Sequence, residues 1–257
     1  MFQLPTSRLY VTVRSPTGME ELLLREADAL DVGLSLMLIS RLVQMGDGST
    51  FDWGDLPATD AEALLLRLRL ITLGDRVNAT AECASTQCAA KVDVSFRLGE
   101  YLSSKKARTK RDVERIEPQG WFKLTGENVR FRLPTCADQV AFDHEQTPDT
   151  TLIRRCIEPA NISSRLRRKV ESAMEAMAPR LSQLMLGCCP ECKAVIRFYF
   201  DVHSFVLQEL RNHAGTVYQD VHLLALHYNW PESQILELPR ARRLQYVDMI
   251  RDQEAVA

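Results

Sequence analysis

Apolar positions over the first ninety residues recur mostly at helical spacing, after one short alternating stretch. Val11 and Val13 alternate with Tyr10, Thr12 and Arg14, which predicts a strand. Pro16-Thr17-Gly18 breaks that pattern, and a helix is expected from Met19 onward, with Glu20 and Glu21 in the first turn where carboxylates meet the positive end of the helix dipole. A second helix is predicted over Leu34 to Met45, stopped at Gly46-Asp47-Gly48. A third opens after Pro57, capped by Thr59 or Asp60, with Leu64, Leu65, Leu68 and Ile71 on one face and Gly74 as its stop.

The period then shortens. Arg76 to Glu82 and Lys91 to Phe96 are alternating segments on either side of Cys83-Ala-Ser-Thr-Gln-Cys88, which reads as a hairpin with cysteines at its tip. From Gly99 to Gly120 the chain carries Lys105, Lys106, Arg108, Lys110, Arg111 and Arg115 with few large apolar residues, and a mobile or loosely helical connector is expected, its charges most simply a solvated face. Trp121 to Leu124 and Val129 to Leu133, joined through Gly126-Glu-Asn128, predict another hairpin. Three short helices are expected between Ala137 and Ala178, punctuated by Pro148, Pro159 and Pro179.

Leu181 to Gly187 and Ala194 to Phe200 read as strand again, flanking a second cysteine cluster. Helix returns from about His203 to Tyr228, breaks at Asn229-Trp230-Pro231, resumes briefly over Glu232 to Leu238, and ends in a last helix after Pro239. No repeat of fixed period occurs. The sum is an α+β fold: helical N- and C-terminal parts around a small antiparallel, zinc-ribbon-like β core with a long insertion between two cysteine knuckles. The expected parts are residues 1–75, a β core from 76–98 and 180–201, an insertion at 99–179, and C-terminal helices at 202–257.

Composition narrows the class. At 257 residues, 46% hydrophobic and 26% charged, the chain falls among ordinary globular proteins, which excludes collagen-like and disordered readings. Thirty-two Lys and Arg against thirty-four Asp and Glu leave a formal charge of -2, so no global positive excess drives binding to phosphate backbones. Apolar runs such as Leu34-Ser-Leu-Met-Leu-Ile39 stop far short of the roughly 18–20 residues a bilayer crossing needs. The N-terminus lacks a basic start, a long apolar run and a small-residue cleavage site, so a cytoplasmic location is expected, and Asn161-Ile-Ser163 reads as a chance glycosylation sequence.

Seven cysteines are an odd number for a disulfide framework, and a reducing compartment keeps them as thiols. Cys83-x4-Cys88 and Cys189-Pro-Glu-Cys192 are two pairs, each between strand-like segments, and two hairpin tips can aim four thiolates at one tetrahedral Zn2+. One hundred residues separate the pairs. Closing that loop costs on the order of 4 kcal/mol, whereas structural zinc in small fingers supplies roughly 10–16 kcal/mol of apparent binding energy. A split site is therefore energetically reasonable. Cys83, Cys88, Cys189 and Cys192 are the expected ligands of a closed, structural zinc; Cys188 could turn inward in place of Cys189, and the alternative for all of them is a role as small buried hydrophobes. Cys136 and Cys156 have no metal-like partner nearby and are assigned to the core.

Signatures of catalysis are missing. His144, His203, His213, His222 and His227 form no His-Glu-x-x-His, and His222 and His227 point to different faces of their helix. No phosphate loop, dinucleotide fingerprint or Gly-x-Ser-x-Gly elbow occurs, and acid pairs such as Asp52 with Asp55 have little weight. A non-enzymatic binding or assembly role is expected.

Three stretches carry a family likeness: Leu64 to Arg76 running into the first cysteine hairpin, Val129 to Gln139, and Val221 to Pro239. Together they resemble the T4-type phage baseplate hub assembly chaperone family, which accompanies contractile tails and contractile injection systems; Cys83-x4-Cys88 departs from the family's Cys-x2-Cys. The resemblance implies a helper for assembly of the central hub in the cytoplasm of the producing bacterium, with a hub or spike subunit as partner. In the last helix Leu244, Val247 and Ile250 form one apolar stripe, open either to that partner or to the protein's own core, and Trp230 is expected to anchor the helix break. Met174, Met177 and Met185 offer either an adaptable contact surface or core filling. The rivals are a permanent baseplate component and a zinc-ribbon nucleic-acid module using Lys105 to Arg115 and Arg165-x-Arg167-Arg-Lys169, which is the less expected.

Overall fold

The structure is a computed structural model that describes residues 1–108, 110–118, 120–142 and 154–256, with the side chains of residues 142 and 256 excepted. It opens on a three-stranded antiparallel sheet of β1 (Phe2–Gln3), β2 (Tyr10–Val13) and β3 (Val43–Met45), in the order β1-β2-β3. The first helix, α1 (Gly18–Glu26), starts as its acids predict: Thr17 and Glu20 form a reciprocal capping box. The second, α2 (Val32–Leu42), begins on the Asp31 carboxylate and ends three residues before the expected Met45. Val43-Gln-Met45 instead pairs with β2, Val13 opposite Val43, because the apolar period there is two, not 3.6.

Central to the fold is α3 (Ala58–Leu73), which buries Ala61, Ala63, Leu64, Leu65, Leu66 and Leu68 around most of its circumference. That corrects two expectations. Ile71 is exposed, because neighbours cover the helix on the side of Leu66 and Ala63 instead. Pro57, not Thr59 or Asp60, occupies the cap position. Asp60 faces inward, where its two carboxylate oxygens accept the Thr6 and Ser7 backbone N–H groups at 2.8 and 2.7 Å and tie the N-terminal loop to the helix. Gly74 ends α3 at φ +83, a conformation that favours glycine.

Around α3 pack α1, α2 and the C-terminal α7 (Val202–His213), with Leu38, Leu42, Leu65, Val206 and Leu207 in the main core. Arg69, buried near the end of α3, makes a paired contact to Glu209 at 2.9 and 3.0 Å and donates to the Gly74 and Arg76 carbonyls. One side chain thus fixes the exit of α3 against α7.

The described residues of 99–120 hold more regular structure than a loose connector. They enter as α4 (Leu98–Ser104), whose Tyr101 hydroxyl donates to the Leu181 carbonyl, and leave as β6 (Val113–Ile116). Val113 has a place in a second core, which the sparse apolar content conceals. There β6, β7 (Trp121–Leu124), β8 (Arg130–Arg132) and β9 (Ile157–Glu158) form a four-stranded antiparallel sheet, with α5 (Cys136–Phe142) following β8. Phe131, Leu124 and Ile157 on this sheet share the core with Val170, Ala173 and Met177 of α6 (Ser164–Met177). Of the three helices expected between 137 and 178, the first and last are α5 and α6; between Pro148 and Pro159 residues 154–156 are helical, and 143–153, with His144 and Pro148, lie outside the described residues.

The C-terminal part is α8 (Val217–Tyr228), α9 (Glu232–Glu237) and α10 (Arg240–Val256). The single helix expected from 203 to 228 is divided at Ala214–Thr216 by a turn of 3-10 helix. Asn229, in left-handed conformation at φ +52, ends α8 where the Asn-Trp-Pro break predicts. Arg243 of α10 is fully buried, paired with Asp220 of α8 at 3.0 Å and with Glu21 of α1; Arg240 reaches the same Glu21 at 3.3 Å. Gly18 lets this happen, since a Cβ there would stand 2.8 Å from Arg243 Nη1 and 2.9 Å from Leu236 Cα. Both ends of the chain are locked by that network.

Two further hairpins stand on the main core. β4 (Arg76–Glu82) pairs with β5 (Lys91–Arg97), and β10 (Gln183–Cys188) with β11 (Val195–Phe200). They remain separate two-stranded sheets. Their roots join the core through Phe96 and Phe200, whose rings meet edge to face at 5.6 Å.

Candidate metal centre

Each hairpin ends in a knuckle, and the two are built alike. Cys83 N–H donates to the Ala90 carbonyl at 2.9 Å, and Cys189 N–H to the Ala194 carbonyl at 2.9 Å, so each pair of cysteines is enclosed by one extra rung of its ladder. Inside the loops Lys193 N–H donates to the Cys189 carbonyl and Ala89 N–H to the Ser85 carbonyl, both at 3.0 Å. Ser85 therefore plays, three residues before Cys88, the part that Cys189 plays three residues before Cys192. The two extra residues of Cys83-x4-Cys88 are taken up between Cys83 and Ser85, and the turn at the second cysteine is the same in both. In each knuckle the next residue is left-handed, Ala89 at φ +46 and Lys193 at φ +61.

The sulfur atoms converge. Cys83 Sγ lies 3.5 Å from Cys192 Sγ and Cys88 Sγ 3.8 Å from Cys189 Sγ, each knuckle facing the other across the pair. All four lie within 4.8 Å of one another. Four sulfurs at about 2.3 Å from a tetrahedral zinc are about 3.8 Å apart, and a disulfide would need about 2.05 Å; the spacing matches the first and not the second. Cys83 and Cys189 are buried with Ile196, flanked by Ala81, Ala90, Val92 and Ala194.

Backbone N–H groups point at the sulfurs. The Cys192 N–H, helped by that of Glu191, draws the Cys189 thiol down to about 7 against the opposing effect of burial. The Ser85 N–H likewise favours a Cys83 thiolate, but burial and the other three sulfurs outweigh it and push that thiol up to about 12. Cys88 receives the Ala90 N–H and is also raised, by Cys192 and burial. One lowered thiol beside the raised thiols of Cys83 and Cys88 is what neighbouring sulfurs impose on one another. A divalent ion reverses the logic, because coordinating thiols lose their protons outright. The residues fit a soft, tetrahedral cation: four sulfur donors, a closed shell and N–H groups to hold the charge.

All four sequence-predicted ligands, Cys83, Cys88, Cys189 and Cys192, are thus brought together. Strand alternation settles the choice between neighbours, since Cys189 is fully buried and Cys188 is exposed on the opposite side. Cys136 and Cys156 are buried in two different cores, as expected, and burial pushes both thiols up to about 12.

The apolar stripe of α10 lies elsewhere. Val247 and Ile250 are buried against Leu224 and Ile235, and Leu244 is half-buried, so the stripe serves the protein's own core and not an outer face. Trp230 does anchor the helix break, stacked on Tyr228 at 5.0 Å and edge-on to Tyr246 at 5.1 Å. Met177 and Met185 sit in or against the cores. Sequence reasoning passed over a different surface. Leu184, Leu186, Val195 and Tyr199 project from the outer face of the second hairpin, signalled by strands that are apolar in both phases of the alternation.

Among the described residues no helix is long and apolar enough to cross a membrane. A family model described as T4 bacteriophage base plate protein matches residues 4–165, more than half of the chain. The match includes the first knuckle and stops before the second, so the likeness of Val221 to Pro239 lies beyond it. No curated protein and no solved structure matches.

Proposed function

The chain belongs to the T4 bacteriophage base plate protein family, and from that premise we propose that it is a non-catalytic assembly chaperone for the baseplate hub of a contractile tail or injection system, acting in the cytoplasm of the producing cell. One observation carries the reading: four cysteines from two distant hairpins bring their sulfurs within 4.8 Å of one another. A four-thiolate shell completes the coordination of zinc and leaves no position for water or substrate. Zn2+ there stiffens two hairpins that are otherwise short two-stranded sheets, a form marginal by itself in water. The rigid platform then presents a surface to a hub or spike subunit. Nothing in the family description requires release, so a permanent place in the baseplate is the second reading.

Two measurements test this. Freshly purified protein is expected to carry one zinc per chain, lost in Cys189→Ser and kept in Cys188→Ser; metal-free wild type would remove the scaffold. Mass spectrometry of finished particles is expected to find the protein missing although it co-purifies with a hub subunit beforehand. Stoichiometric retention in the particle would establish the permanent component instead.

A further inference from the structure

The second hairpin presents an open apolar face. Leu184 is 55% exposed, Leu186 68%, Val195 53% and Tyr199 65%. Leu184 stands directly opposite Tyr199, Leu186 opposite Arg197 and Val195 opposite Cys188, so the four apolar side chains share one side of the sheet, with exposed Arg197 and Cys188 among them. The fold does not need them there. Met185, Ile196, Phe198 and Phe200 on the other side supply the packing.

The patch continues into charge. Leu184 and Tyr199 also line a concavity of about 520 Å³, whose wall includes Pro179 and Arg180. The same two residues line a second concavity of about 430 Å³, together with Lys105, Lys106, Arg108 and Lys110. Among the described residues only Arg180 of these five cations has a carboxylate partner, Glu175. Lys105 bonds the Gln183 side chain and lies over the Tyr101 ring, and Lys110 bonds the Ser172 hydroxyl. Glu62, in the wall of the first concavity, is engaged with Ser182 at 2.6 Å. A chain of net charge -2 thus concentrates positive charge beside its most exposed apolar strand pair.

We propose that the β10–β11 face and the basic concavity form one docking surface for an acidic, amphipathic segment of a partner protein, with its apolar side chains on Leu184, Leu186, Val195 and Tyr199 and its carboxylates among Lys105, Lys106, Arg108 and Lys110. The inference rests on the scaffold reading above only in that the metal holds the hairpin in place. Charge complementarity selects the occupant. Four side chains of this size expose on the order of 400 Å², about half of what one side of a standard interface buries. A second copy would bring two basic concavities to one interface with like charges to repel. A nucleic acid would use the cations and leave the apolar face wet.

The test is a binding titration of the full-length, metal-loaded protein. The probe is a fluorescein-labelled synthetic peptide with a Leu-rich half and a Glu-rich half; a Glu-to-Gln version and a single-stranded oligonucleotide are run beside it. Saturable binding is expected for the acidic peptide, weakened about tenfold or more by Leu186→Asp, by Arg108→Glu and by the Gln peptide. Failure of the peptide to bind, or indifference to Leu186→Asp, overturns the inference. So does tighter binding of the oligonucleotide, or a dimer in sedimentation that Leu186→Asp dissolves. Metal is measured on the same samples. Metal-free protein that still binds the peptide breaks the scaffold reading and supports the surface, whereas metal-loaded protein that ignores the peptide breaks the surface alone.

Discussion

The hairpins β4–β5 and β10–β11 hold the same kind of tip and turn opposite characters to solvent. Each closes a pair of cysteines with one extra ladder bond, follows the second cysteine with a left-handed residue and packs an apolar inner side. On the outer side β4–β5 shows Arg76, Asn78, Thr80, Glu82, Lys91, Asp93, Ser95 and Arg97. β10–β11 shows Leu184, Leu186, Val195 and Tyr199, with Cys188 and Arg197 among them. Presenting two thiolates constrains the tip and the inner side of a hairpin and leaves the outer side free. The difference there therefore reports a demand other than folding, and the polar hairpin is the internal control for the apolar one.

Removing the proposed metal is the strongest way to break the likeness of the tips. Chelation, or Cys189→Ser, is expected to abolish amide protection in both knuckles together while the main core around Leu65 and Leu207 keeps its own, as hydrogen exchange would show. Loss in one hairpin alone would mean that the tips do not share an ion.

The contrast between faces is sharpened by truncating each side of one strand pair. Ile196→Ala, in a buried position, should cost about 2–4 kcal/mol in denaturant unfolding. Leu186→Ala on the outer face should change stability by less than about 0.5 kcal/mol. Equal costs would make the outer face part of the core.

The roots of the hairpins differ too. The β4–β5 root is tied by Arg69 and the Gly74 and Arg76 carbonyls, and the β10–β11 root rests by Ser182 on Glu62, whose carboxyl burial pushes up to about 7. A carboxyl that holds its proton longer in the folded state makes the fold lose stability as pH rises from about 4.5 to about 7. Glu62→Gln should remove that slope, leaving the variant more stable than wild type by about 1–3 kcal/mol at pH 8 and little changed at pH 4. Parallel pH curves for the two proteins would show that Glu62 does not titrate there.

The smallest expected gain lies in the turns. Ala89→Gly and Lys193→Gly should each raise stability by about 0.5–1 kcal/mol, because both positions have positive φ and glycine accepts it without strain. A gain in one knuckle only would show that the shared turn is not shared.

Much of the candidate site was legible because knuckle chemistry is local. Cys83, Cys88, Cys189 and Cys192 announce themselves by spacing and by the alternating segments around them, and Gly74 and Asn229 mark helix ends by conformations that few residues accept. Packing accounts for the rest. The helical period puts Ile71 on the core face and leaves the stripe of Val247 and Ile250 to a partner or to the core, and cap chemistry admits Thr59 or Asp60; Ile71 is instead exposed, while Val247, Ile250 and Asp60 obey neighbours distant in sequence. Val43 reads as helix because its strand partner, Val13, is far away in the chain.

By itself the sequence determined most of the elements, the four sulfurs and the family likeness, since these rest on periodicity, turn chemistry and short spacings that a segment carries alone. Only the tertiary structure decided that Cys189 and not Cys188 faces the other knuckle, that Arg243 is buried between Glu21 and Asp220, and that the apolar face left open is on β10–β11 and not on α10. An amphipathic pattern says that a side will be covered, but what covers it depends on which elements fold back upon it, and that is a property of the whole chain.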